Sequence, residues 1–303
     1  MADFSLDTAV TGEAGRYRAT LSPEWEVWGP LGGYVAALAL RAMGAQSPLR
    51  RPASFSCLFL SVAHFGSVEL EVTTLRQGKR ARALQVQITQ QGSSILSAHG
   101  WTIAEGSQGF EHNDAKMPSV PKPEELRSFK DLAETYDAWY PVWRAIDGRP
   151  AVWRDEPGPP VWHTWMRLCA TPNLEDPFLE AARSLMWMDL MMWNAATPPH
   201  QPWPVTHLAP NLDLAVLFHG AAPTEEWLLC DAHAPLAKDG LVGCNGRVWT
   251  RSGRLLASGT SHLFCRPNPQ YAEELRLRRE REGSAAPQTQ PALQRKGSDD
   301  LVA

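Results

Sequence analysis

Asp189 is the residue whose setting most calls for a chemical explanation. Phe178, Ala182, Leu185, Met186, Met192 and Trp193 recur at helical spacing as an apolar stripe, and Asp189 falls inside it, four after Leu185, three after Met186 and four before Trp193. Asp176-Pro177 ahead of the stripe is an N-cap and N1 pair, so the spacing predicts a helix over residues 177–194. An ionised carboxylate on an apolar face is costly unless it is hydrogen-bonded or neutralised. Two readings follow: the carboxylate faces a solvated groove or bonds a backbone turn, or it is a partly desolvated general base whose raised pKa suits it to take a proton from a bound water. Gly32-Gly33, at the start of another apolar segment, also allow two readings. They are a plain helix start, or they aim backbone N–H groups at an oxygen that gains negative charge.

Other chemistries lack their motifs. The nine His show no HxxxH or HExxH spacing, and there is no GxSxG nucleophile elbow. The closest pair among Cys57, Cys169, Cys230, Cys244 and Cys265 is 14 positions apart, so no CxxC exists. The expectation is no metal centre, no cofactor, and reduced, buried thiols in a cytoplasmic protein. With 29 Lys plus Arg against 33 Asp plus Glu, the formal charge of -4 gives no basic excess, so neither nucleic acid nor a membrane surface is expected as a partner. Met1-Ala2-Asp3-Phe4-Ser5 has no basic region leading into an apolar one, and the apolar run at residues 34–40 is too short to span a bilayer.

These residues must be positioned by elements that the periodicity outlines. Residues 34–45 are apolar on every face apart from Arg41, which predicts an enclosed helix. Strands are predicted at 54–63, 67–76, 82–90 and 94–104, separated by Gly-containing turns. The last third repeats the plan, with the helix at 177–194 ahead of strands near 212–220, 226–234, 241–250 and 254–266. The fold expected is α+β, two long helices each wrapped by an antiparallel sheet. The units are residues 1–116 and 124–268, joined by the Pro-rich linker 117–123. The charged, low-complexity stretch 269–303 is expected to lack regular structure. Trp is over-used, with 13 against 5 Tyr and 9 Phe. Trp139, Trp143, Trp153, Trp162, Trp165, Trp187, Trp193 and Trp203 all fall within residues 139–203, which suggests an indole-walled site around Asp189.

Four passages carry a resemblance. They are Gly32-Gly33-Tyr34-Val35-Ala36-Ala37-Leu38-Ala39-Leu40, Thr74-Leu75-Arg76-Gln77-Gly78, Phe110-Glu111-His112 with Met117-Pro118-Ser119-Val120-Pro121, and Gly253-Arg254-Leu255-Leu256-Ala257-Ser258. In this order and spacing, over residues 10–267, the chain resembles the TesB-like acyl-CoA thioesterases (thioesterase II), which are tandem (double) hotdog proteins. The resemblance implies an acyl-CoA substrate and a hydrolytic Asp on the second unit's helix, assisted by a Thr and a Gln from following strands. The matching Asp is Asp189; Asn211 holds the Thr position and Ser261, a shorter side chain, holds the Gln position. His262 beside it should point to the opposite face of a regular strand. Gly33 and Tyr34, at the start of the first helix, are expected as oxyanion and substrate-binding residues, and Trp187, Met188, Met192 and Trp193 as lining of the acyl pocket. A twofold homodimer would be ordinary for such a protein. Two rivals share the architecture. A hydratase needs a His five residues after the Asp, where this chain has Asn194. A non-hydrolytic acyl-thioester-binding or accessory protein of a lipid or polyketide pathway would need no complete set of catalytic groups.

Overall fold

A helix that is apolar around its whole circumference must be covered on every side, and two such helices organise this protein. The computed structural model describes residues 2–132, 140–154, 156–170, 173–200 and 205–284. After a short helix α1 (Phe4–Asp7) and strands β1 (Thr11–Glu13) and β2 (Arg16–Leu21), the first long helix α2 spans Gly32–Gln46. The strands β3 (Arg51–Phe59), β4 (Gly66–Gln77), β5 (Ala81–Gln90) and β6 (Ser93–Ile103) follow as an antiparallel set. The second half opens with short helices α3 (Phe129–Leu132) and α4 (Val142–Ala145) and strands β7 (Ile146–Pro150) and β8 (Val161–Leu168). Its long helix α5 is Pro177–Ala196. After β9 (His207–Leu208) come β10 (Asp213–Phe218), β11 (Leu228–Lys238), β12 (Leu241–Thr250) and β13 (Leu255–Phe264), then β14 (Arg266–Pro267) and a helix α6 (Tyr271–Ser284).

The expected duplication is present, with one addition. The sheet order is β1-β2-β4-β5-β6-β3-β10-β13-β12-β11-β8-β7, so the second half mirrors the first about the β3–β10 seam. The two sheets are therefore one, joined edge to edge by antiparallel pairing from Asp213–Leu58 to Leu217–Ser54. This pairing removes the open edge that each half would otherwise present at β3 and β10. Strands β2 and β8, each preceding its long helix, are elements the periodicity did not outline.

Against the inner face of this sheet lie α2 and α5, side by side and antiparallel. From Gly33 to Leu40 every residue of α2 is buried, and α5 buries all but a few positions. One end of the helix pair is fixed by Asp176, which caps α5 through Phe178 N–H at 3.0 Å and pairs with Arg41 of α2 and with Arg50 at 2.9 Å. There the ring of Phe178 rests directly on Gly44.

Residues 117–123 carry no regular structure apart from the start of a short turn, and they are held down. Trp165 Nε1 donates to Pro121 O at 2.9 Å and Arg149 to Pro123 O at 2.8 Å. Residues 271–284 differ from the expected lack of regular structure, because α6 is regular and supported by Arg276 bridging Glu273 and Glu280 one turn either side, while residues 285–303 lie outside the described residues. No helix among the described residues is long and apolar enough to cross a membrane.

A methyl group added to Gly44 would overlap the Phe178 ring, lying 2.7 Å from Cδ2 and 2.9 Å from Cβ. G44A is expected to lower the unfolding free energy by about 1–3 kcal/mol in urea denaturation. The loss should be smaller when the side chain is first cut back to Cβ by F178A, which removes the ring atoms that the methyl would meet.

Candidate active site

The start of α2 has no local cap. Its N-cap position is Leu31, whose side chain accepts nothing, and the missing acceptor comes from the other half of the chain. Asp189 of α5 accepts the Gly33 N–H at 2.6 Å through Oδ2. A carboxylate at this place is favoured by the unpaired N–H groups and the positive end of the helix dipole. The approach requires glycine at residue 33 and leaves little room for a side chain at residue 32. A methyl on Gly33 would lie 2.8 Å from Asp189 Cβ and 2.9 Å from Met186 Cα, and one on Gly32 would lie 3.2 Å from both Asp189 Oδ1 and Phe59 Cε1.

The second oxygen of Asp189, Oδ1, accepts a short hydrogen bond from Asn211 Nδ2, which also reaches the backbone carbonyl of Asp189 at 3.3 Å. Since a carboxylate can only accept, the amide must turn its nitrogen towards Asp189. Its own oxygen, Asn211 Oδ1, is then buried without a hydrogen-bond partner. The site thus holds a carboxylate and a lone amide acceptor side by side, a pair that a water molecule can bridge with its two O–H groups.

The electrostatics distinguish Asp189 from its neighbours on the same helix. Glu180 and Arg183 are each 2% exposed and neutralise one another at 3.2 Å, whereas Asp189, 5% exposed, has no ion-pair partner among the described residues. Burial pushes its carboxyl up from the ordinary 3.8 to about 6, against the opposing pull of the Asn211 and Gly33 hydrogen bonds. Cys57, inside the β3–β10 seam, has its thiol held well above its usual range by burial and by the nearby Asp189 and Asp213 charges, which disfavour the thiolate.

The other expected site residues have different surroundings. Gly33 does lie at the site, but its N–H is already bonded to Asp189. The next N–H, that of Gly32, has no hydrogen-bond partner among the described residues. Tyr34 is an anchor away from the carboxylate. Its N–H bonds Leu31 O, its hydroxyl donates to Asp7 O at 2.8 Å and accepts from Ser22 N–H, and its ring stacks on Trp25. Ser261 is buried as an inward-facing strand residue, with His262 on the exposed face as alternation requires. However, the Ser261 hydroxyl donates to Asp213 O at 2.6 Å and makes no bond to Asp189. Met188 and Met192 fill the space between α5 and the sheet, where methyls on Gly246 and Gly259 would meet them within 3 Å. That space is packed core, and Trp187 is fully buried as well.

The indoles are dispersed. Trp143, Trp153 and Trp162 gather on Phe129 with ring centroids 5.0–6.3 Å away, and Trp165 belongs to a separate cluster with Trp227 and Trp249. Trp193, half-buried one turn beyond Asp189, shares its side of the helix, while Trp139 and Trp203 lie outside the described residues. Sequence reasoning missed Phe59, whose ring edges the glycine pair, and Asp213. The available signal was a helix start without a capping side chain, which asks for an acceptor from elsewhere.

Known proteins give a consistent picture. The profile of the acyl-CoA thioesterase N-terminal domain matches residues 21–103, and that of the acyl-CoA thioesterase C-terminal domain matches residues 114–264. Acyl-coenzyme A thioesterase 8 of Homo sapiens is 22% identical over 225 residues, covering 67% of this chain and 69% of its own. A hot-dog-fold protein from Alicyclobacillus acidocaldarius superposes with a TM-score of 0.75 at 21% identity, over 88% of this chain and 98% of that one. The acyl-CoA thioesterase II TesB2 of Mycobacterium marinum does so with a TM-score of 0.71 at 22% identity, over 88% and 98%. These structural likenesses establish the fold as a double hotdog.

The raised pKa makes a prediction about stability with a definite sign. A carboxyl whose pKa is higher folded than unfolded stabilises fully below about 4, and that contribution is lost as pH rises through about 6. D189N escapes the loss, because its amide can accept from Gly33 and donate to an Asn211 amide that has flipped. Measured by urea unfolding, D189N should gain on the wild type between these pH values by up to about 1–3 kcal/mol. A difference that does not change with pH would contradict the raised pKa.

Proposed function

The chain belongs to the acyl-CoA thioesterase family, and we propose that it hydrolyses an acyl-CoA, or a related acyl thioester, to the free acid and coenzyme A with Asp189 as general base. The observation that carries this reading is the buried Asp189 carboxylate, without a cation among the described residues, held between the glycine pair of α2 and the Asn211 amide. Above a pH of about 6 this group is ionised and poised to accept a proton.

A water bridging Asp189 and Asn211 Oδ1 loses one proton to the carboxylate as its oxygen bonds to the thioester carbonyl carbon. The carbonyl electron pair moves onto oxygen, and the tetrahedral intermediate collapses with rupture of the C–S bond. The departing thiolate takes the proton that Asp189 had accepted, so acid and thiol leave and the carboxylate is restored. Gly32 N–H, at the positive end of α2, is the donor for the developing oxyanion, in place of Gly33. One such donor is worth about 10²–10³ in rate. Contact with the acyl group falls to Phe59 rather than to Met188 and Met192, which are packed into the core. The unpaired cysteines fit work in a reducing cytoplasm.

Release of coenzyme A from butanoyl-, octanoyl- and palmitoyl-CoA tests this directly. D189N should lose about 10²–10⁴ in kcat/KM while remaining folded. Wild-type kcat/KM should rise with pH to a plateau through an apparent pKa near 6, the value of the substrate-free carboxyl. Full activity in D189N, or a flat profile across that range, would remove Asp189 from the mechanism.

A further inference from the structure

The way Asn211 reaches Asp189 is anomalous for its strand. Along β10 the residues Leu214, Val216 and Phe218 face the core, so alternation assigns Asn211 to the outer face with Ala215 and Leu217. Instead the amide bonds Asp189 inside, and Leu212, which should point inwards, is 41% exposed. The cause is a one-residue slip. Ladder pairing between β10 and β13 runs regularly to Ala215–Thr260, a register that would place Leu212 opposite Leu263, yet the next bridge pairs Asn211 with Leu263. Between those two pairs β10 carries one residue more than β13, the geometry of a bulge, and such a slip turns the following side chain to the other face.

Side chains occupy the interrupted ladder. Asp213 Oδ1 accepts the His262 N–H at 2.8 Å, while Asp213 Oδ2 lies 3.0 Å from His262 Nδ1. The backbone carbonyl of Asp213 accepts the Ser261 hydroxyl at 2.6 Å, and Leu212 N–H donates to His262 O at 2.7 Å. As an exposed ion pair the Asp213–His262 contact would contribute little. As a clamp on two backbone groups at the slip it fixes geometry. We infer that Asp213, Ser261 and His262 are positioning residues, which lock this slip and so turn the Asn211 amide onto Asp189. The inference rests on the reading of Asp189 as the base and adds how its hydrogen-bond partner is held.

The test uses the full chain with D213A, S261A, D213N, N211A and the D213A/N211A double variant. The first readout is independent of activity: the side-chain amide resonance of Asn211, identified by its loss in N211A. It should carry a hydrogen-bonded shift in wild type and D213N and a free-amide shift in D213A and S261A. In hydrolysis of the same acyl-CoAs, D213A and S261A should lower kcat by about tenfold or more with KM within about twofold. D213N, which keeps an acceptor for the His262 N–H, should recover most of the loss. D213A/N211A should be no slower than N211A alone, since both remove one interaction. Should D213A fail to fold, S261A carries the test with a single atom removed. An Asn211 resonance unmoved in S261A, or losses that multiply in the double variant, would overturn the inference. Full activity in D189N would instead overturn the base and leave the resonance test of the slip intact.

Discussion

The contact between Asp189 and the Gly33 N–H, 156 positions apart in sequence, is the constraint on which the rest of the site depends. It needs two things together. One is a helix start whose backbone is bare of side chains over two consecutive residues. The other is an acidic residue on a neighbouring helix, buried away from the bulk water that would solvate its charge. Each compensates a defect in the other half of the protein: α2 lacks a side-chain cap of its own, and Asp189 has no cation beside it among the described residues. The exchange is incomplete, because two hydrogen bonds do not offset the desolvation of the carboxylate, and the remaining deficit is the raised pKa. A group left in that condition is costly to the fold and useful to a reaction that needs a base near neutral pH.

The continuous sheet is what makes the contact reproducible. Pairing of β3 with β10 fixes the two halves in one register, so that α2 and α5 lie antiparallel with the start of one against the second half of the other. The Asp176–Arg41–Arg50 cluster and the Phe178–Gly44 contact hold the far end of the helix pair. The same seam delivers Asn211, since β10 borders β3 on one side and β13 on the other. Where the β10–β13 ladder slips, the amide crosses to the inner face.

Much of the fold was legible in the sequence, because it rests on periodicity and repetition. The two enclosed helices, the strands after each and their duplication follow from the spacing of apolar residues. Asp189 was legible as a polar residue in an apolar stripe. What the sequence did not show depends on approach between distant segments. Gly33 reads as an oxyanion donor until a carboxylate occupies its N–H. Ser261 reads as a companion of Asp189 until the strand slip engages its hydroxyl with Asp213. Met188 and Met192 read as pocket lining, although glycines at 246 and 259 draw them into the core. The Trp-rich stretch is a bulk property that dispersed into separate clusters once folded.

In the proposed reaction the Asp189 carboxylate activates water and does not itself attack the thioester. A single turnover of octanoyl-CoA with excess protein in heavy-oxygen water tests this most directly. Activated water predicts that the first octanoate released carries one heavy oxygen and that the Asp189 carboxylate remains unlabelled. Unlabelled octanoate in the first turnover, with heavy oxygen appearing in Asp189, would make the residue a nucleophile and contradict the account.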